Sequence, residues 1–181
     1  METASDGLAK PRVLLVTANP PMNEMGGCLL LYRQFVEHAD YEYAVVTTRP
    51  DYEGNGERWM RIEAPRWLER LTHTRLANWG HDYQHLFRGK RVPAAVERFA
   101  RDFKPDLVMT GMHNWVGDLG ISIGKRLQIP VAGYFMDWAS YAALGHPWMI
   151  RYLSEIYRKR YRKCDLALGI CPEMLEALGP H

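Results

Sequence analysis

Arg12-Val-Leu-Leu-Val-Thr-Ala18 runs into Asn19-Pro-Pro-Met-Asn-Glu-Met-Gly-Gly27, and Cys28-Leu-Leu-Leu-Tyr32 follows at once. The first stretch is short, apolar and β-branched without strict alternation, the pattern of a parallel strand buried on both faces. The second carries the Pro-Pro and Gly-Gly punctuation of a loop. Cys28, Leu31 and Phe35 then recur at helical spacing as far as Ala39-Asp40, and Tyr43-Ala-Val-Val-Thr-Thr48 reads as the next strand. Strand, loop, helix and strand in this order make a βαβ unit, which commits the chain to a parallel sheet.

The same alternation continues. Residues 49–57 carry Pro50, Gly54, Asn55 and Gly56 and form a loop, with a short strand expected at 59–62. From Trp67 the chain is rich in Arg, His, Trp and Tyr, which predicts one or two helices before Pro93; Ala95, Val96, Phe99 and Phe103 mark another. Pro105-Asp-Leu-Val-Met-Thr-Gly111 is the next strand. Val116, Leu119, Gly120, Ile123 and Leu127 then share one helical face. Ile129-Pro-Val-Ala-Gly-Tyr-Phe135 supplies a further strand, and Met149, Tyr152, Leu153, Ile156 and Tyr157 a further helix. Asp165-Leu-Ala-Leu-Gly-Ile170 is the last strand, and Pro172 opens a final helix. The expected fold is α/β, a Rossmann-like three-layer αβα domain with a mainly parallel sheet, over residues 12–181, behind a flexible tail at 1–11.

Bulk properties bound the function. A length of 181 residues suits one core, and a net charge of +2 is too small to mark a general polyanion binder, so no specific nucleic-acid partner is expected. Cys28, Cys164 and Cys171 fit no zinc or redox spacing, which points to a reducing, cytoplasmic setting. Residues 1–10 lack the apolar stretch of a secretory signal, and no apolar run reaches transmembrane length. Any membrane contact is expected to be peripheral, on the inner face.

In open parallel sheets, ligands bind beyond the carboxyl ends of the strands, where the strand order reverses. That rule gathers residues 19–27, 111–115 and 136–140, with Cys171-Pro172 at the edge. Gly26 and Gly27 either admit a polar or anionic ligand to the backbone N–H groups of the next helix, or simply make a tight turn. His113, at the end of a strand, is placed to hydrogen-bond a hydroxyl-rich molecule or act as a base, or is a satisfied loop histidine.

These residues resemble the N-terminal half of the GT-B glycosyltransferases, in particular the retaining family 4. The likeness runs from Arg12 to Leu178. It rests on the strand and Gly-Gly loop of Arg12 to Gly27, on Pro105-Asp106 leading to His113-Asn114-Trp115, on Ile129-Pro130-Val131 closing in Met136-Asp137-Trp138, and on the Cys164-Asp165 strand with its following helix. The resemblance implies an acceptor-binding domain facing a second domain that holds a nucleotide-sugar, the donor substrate, with no cofactor and no metal. It assigns catalytic roles to His113 and Asp137, and ligand contacts to Gly26, Gly27, Asn114, Trp115 and Met136. Two positions depart from the family. Met136 stands where members place a His beside the donor sugar, and Cys171 replaces the usual Ser cap. No two glutamates have the spacing of the family's donor-side pair, so the C-terminal donor-binding domain is expected in cis or as a split subunit, and this chain alone is expected to be inactive. A non-catalytic binding module is the alternative.

Other patterns carry less. Gly120-Ile-Ser-Ile-Gly124 matches a hydrolase nucleophile elbow, but Ser122 falls inside a running helix instead of at a strand-to-helix turn. His81 and His85 are four apart without the Glu of a metal motif, which favours a surface role. Arg158, Lys159, Arg160, Arg162 and Lys163 form a membrane or polyanion patch if solvent-facing, and the Trp- and Arg-rich stretch 58–75 offers a second lipid-facing patch that would suit a sugar or lipid-linked acceptor.

Overall fold

A computed structural model describes residues 10–24, 26–38, 40–112, 114–138 and 146–179. Six strands, β1 (Arg12–Thr17), β2 (Glu42–Thr47), β3 (Arg58–Arg61), β4 (Leu107–Gly111), β5 (Val131–Phe135) and β6 (Leu166–Gly169), form one sheet in the order β3-β2-β1-β4-β5-β6. Every neighbouring pair is parallel. The chain builds outward from β1 to β3, returns across β1, and builds the other way from β4. The reversal therefore falls between β1 and β4.

At β4 and β5 the strands begin two residues later than the apolar runs suggest, and the reason is chemical. Pro130 has no N–H to give the ladder, and only its carbonyl is used, accepting from Val108 N at 2.9 Å. Asp106 and Asp165 act at the sheet's lower rim. The Asp106 carboxylate accepts from Arg12 N at 2.8 Å while its own N–H donates to Arg12 O at 2.8 Å. Asp165 repeats this reciprocal pair with Val131, also at 2.8 Å each way. The aspartates of the Pro-Asp and Cys-Asp steps thus close backbone groups that a strand's first residue would otherwise leave open.

The central strands are buried on both faces of the sheet. One is covered by α4 (Ala94–Phe103), α5 (Val116–Leu127), α6 (Pro147–Tyr161) and α7 (Pro172–Leu178), which pack Val96, Phe103, Leu119, Ile123, Leu153 and Met174 against Leu14, Val16, Val46 and Val108. The other is covered by α1 (Gly27–Tyr32), which continues as a π-helical turn through Arg33–Glu37 and sets Leu31 and Phe35 on Val13, Leu15 and Val45. Between β3 and α4 lie α2 (Arg66–Thr72) and α3 (Ala77–Phe87), a helical pair, as the Trp- and His-rich composition suggests.

Helix α5 lies unusually close to the sheet. A Cβ on Gly120 would fall on the Thr110 side chain, and one on Gly124 on Val131 Cγ2. These glycines of the apparent nucleophile elbow are packing positions. Ser122 between them donates to the Asp118 carbonyl at 2.7 Å inside the helix, which removes the hydrolase alternative on geometry. Gly124→Ala should lower the unfolding free energy by roughly 1–3 kcal/mol, because the methyl has no room between two buried elements; urea denaturation measures the loss, and an unchanged midpoint would contradict this packing.

Candidate functional site

The loop after β1 is fastened at several points. Thr17 Oγ1 accepts from Asn19 N at 3.0 Å, Asn55 Nδ2 donates to Pro21 O at 2.8 Å, and Glu24 pairs with Arg49 at 2.9 Å. Arg49 is held in turn by Asp51 at 2.6 Å. Asn55 belongs to a cluster in which the Glu57 carboxylate takes bonds from Tyr52, Tyr43 and Asn55 N, and with burial these carboxylate bonds keep both phenols protonated far above the usual range. The loop that meets the switch point is therefore set by the β2–β3 connection beside it.

Gly26 caps α1 with φ 71° and ψ −139°, a conformation that side chains disfavour, and no described residue lies within 4 Å of where its Cβ would be. Gly27 is glycine for a different reason: a Cβ there would stand 2.7 Å from Met136 Sδ and 3.6 Å from Asn19 Nδ2. The start of α1 and the end of β5 thus meet at Gly27 and Met136. Gly26 leaves an open backbone surface above them. Met136 itself is buried in the core of the α1 face, while Asp137 and Trp138 beside it are exposed.

The other expected contact residues have structural partners. Asn114 Oδ1 accepts from Val116 N at 2.8 Å, an Asx turn that leads into α5. Trp115 is buried, with the Arg88 guanidinium 4.0 Å over its ring. His113 lies outside the described residues, as do 139 and 140.

Two sequence expectations are corrected by burial. Arg160 does not belong to a solvent-facing basic patch: it is fully buried, bonded through Nε and a terminal nitrogen to Asp118 at 3.1 and 2.7 Å and to the Met112 carbonyl at 2.9 Å. Arg162 and Lys163 beyond the helix are exposed, as is Lys159. Arg160 instead ties α6 to the first turn of α5 and to the carboxyl end of β4, directly under the switch point. His85 is likewise no surface histidine. It is buried on α3 with Nδ1 unpartnered, and its pKa is pushed down to about 4, chiefly by burial and then by the Arg160 charge. No cluster of metal-binding side chains occurs among the described residues.

One pair went unread in the sequence. Asp82 on α3, buried, receives His146 Nδ1 at 2.7 Å, and His146 N lies 3.3 Å from its other oxygen. Sixty-four residues separate the two, so no local pattern marks them. A cleft of about 390 Å³ opens nearby beyond β2 and β3, lined by Thr48, Arg61, Glu63, Arg66 and Gln84.

No protein-family model matches the chain, and no curated protein matches it by sequence. Among solved structures it is similar to Phytolacca americana UGT2 complexed with UDP-2fluoro-glucose and pterostilbene, with a TM-score of 0.53 at 11% identity. The match covers 90% of this chain and 48% of that protein, so the chain spans about half its length. A GT-B glycosyltransferase-like fold is supported at this level.

The buried pairs make two measurable predictions. His85 is neutral when folded and takes a proton near 6.5 when unfolded, so its stabilisation is complete above that pH and is lost as pH falls towards about 4. Unfolding titrations should show a loss of roughly 2 kcal/mol from this residue between pH 7 and 5, and His85→Gln should flatten the slope; an unaltered slope would refute the assignment. Asp118→Asn leaves Arg160 buried without its charge partner and should cost about 3 kcal/mol by denaturant titration.

Proposed function

We propose that this chain is the acceptor-side domain of a retaining, family 4-like glycosyltransferase, moving sugar from a nucleotide-sugar held mainly by a second domain. The observation that carries the reading is the open backbone at Gly26, poised over Gly27 and Met136 at the reversal point of a GT-B-like sheet. In this role the Gly26-Gly27 turn receives the donor's phosphates or an acceptor hydroxyl without side-chain obstruction. Exposed Asp137, with His113, addresses the acceptor. The phosphates and the reacting sugar lie in a cleft that needs a second wall.

The sheet itself favours a second partner segment. On edge strand β6, Leu166 is 52% exposed and Ile170 just beyond it 55%, and among the described residues no helix covers them. An apolar strand face of this kind is the usual seat of a further element. The acceptor is proposed to be a sugar or a lipid-linked molecule, and no metal is required of these residues.

A non-catalytic binding module is the second reading, and Met136 favours it. A thioether cannot donate the hydrogen bond expected of a His beside the donor sugar, and this one is turned into the core.

Saturation-transfer NMR with UDP-glucose as the probe tests the site. Binding is expected to be weak, with Kd on the order of 1 mM, and the strongest contacts should fall on glucose H1 and ribose H5′ rather than on uracil. Gly26→Ala, whose methyl enters the open surface, should abolish them, while Lys159→Gln should not. No contact at millimolar nucleotide-sugar, or contact that survives Gly26→Ala, would refute the proposed site.

A further inference from the structure

Helix α3 is amphipathic in an uncommon sense. Its inward face carries Gly80, Asp82 and His85, all buried, while its outward face carries Leu76, Trp79, Tyr83 and Phe87 at three- and four-residue steps. With Trp67 of α2 and Trp148 of α6, these residues are each between 42 and 58% exposed. They touch one another: Trp67 meets Tyr83 at 5.4 Å, and Tyr83 meets Phe87 at 5.6 Å. The surface crosses to α6 through the Asp82–His146 pair, because Trp79 packs edge-on to the His146 ring at 4.8 Å and Trp148 stacks on it at 6.2 Å. A buried carboxylate thus holds aromatic residues of two helices in one exposed layer.

Stretches of apolar surface this continuous are rarely left bare on a protein that stays in water. The charges around this one indicate what covers it. Residues 66–91 contain six Lys and Arg against two carboxylates, Glu69 and Asp82, and Asp82 is committed to His146. Arg66, Arg70, Arg75 and Arg91 are exposed, and none of them forms an ion pair among the described residues. Indole and phenol rings with an apolar body and a polar tip suit the headgroup boundary of a bilayer, and unpaired guanidinium groups beside them suit its phosphates. Among the described residues no helix is long and apolar enough to cross a membrane, so the contact is interfacial.

We infer that the α2–α3 surface, extended by Trp148, docks on an anionic phospholipid membrane, with the aromatic rings in the headgroup layer and the arginines on lipid phosphate. The inference stands apart from the sugar-transfer reading, since it uses none of the residues at the Gly26-Gly27 turn.

Co-sedimentation of the intact chain with vesicles tests it. The chain should pellet with mixed phosphatidylcholine and phosphatidylglycerol vesicles, with a blue shift of tryptophan emission, and should stay in solution with phosphatidylcholine alone. Combining Arg66→Gln, Arg70→Gln and Arg75→Gln should weaken binding roughly 100-fold, and combining Trp67→Ser, Trp79→Ser and Phe87→Ser should remove both binding and blue shift. Paired Arg33→Gln and Lys125→Gln, exposed on other helices, should leave binding intact. Circular dichroism checks that the variants fold, and if the aromatic set does not, the arginine set decides alone. Equal binding to both vesicle types, indifference to these substitutions, or a concentration-dependent dimer that buries the tryptophans without lipid would overturn the inference.

Discussion

In a sheet whose strands all run the same way each crossover lays a helix on a face, so the central strands are buried on both sides. That constraint governs this chain. β1 lies in the interior of the sheet, paired with β2 on one side and β4 on the other, and Val13 to Val16 are buried in turn on opposite faces. Helices must approach closely enough to exclude water. On the α5 side the approach is so close that Gly120 and Gly124 are the only side-chain sizes that fit.

The same constraint makes the site. Because the chain builds from β1 in both directions, the loops after β1 and β4 diverge at the reversal, the place where open sheets of this kind form a ligand crevice. Its walls are stiffened by interactions between distant segments. Arg160 reaches from α6 to the carbonyl at the end of β4 and to Asp118, Asn55 ties the β2–β3 loop to Pro21, and Met136 fills the space that Gly27 vacates. The polar groups are spent largely on holding these segments in place. The aromatic layer on α3 is built from other residues, Trp67, Trp79, Tyr83, Phe87 and Trp148.

Much of the fold was legible in the residues. Short apolar runs alternating with helical stripes announce a parallel α/β sheet, since period and length are local properties of the chain. The Gly-Gly turn was legible too, though its two glycines proved to have unlike reasons, one a backbone conformation and the other a contact. What local pattern misjudged was burial on long polar side chains. In the run Arg158-Lys159-Arg160 the three cations look equivalent, yet one helical turn places only Arg160 towards the core, where Asp118 and Met112 await it. His85 was misjudged for the same reason.

The amino-acid sequence by itself determined the fold class, the strand order's raw material and the position of the loop that meets the crevice, because strand, helix and turn preferences are written within a few residues of one another. Only the tertiary structure decided which side chains are spent on holding the candidate site together. Asp82 and His146, Asp118 and Arg160, and Gly27 and Met136 are each separated by more than forty residues. Such pairings exist only once the sheet has brought its crossovers together, since a charge or a close contact depends on distance in space and not along the chain.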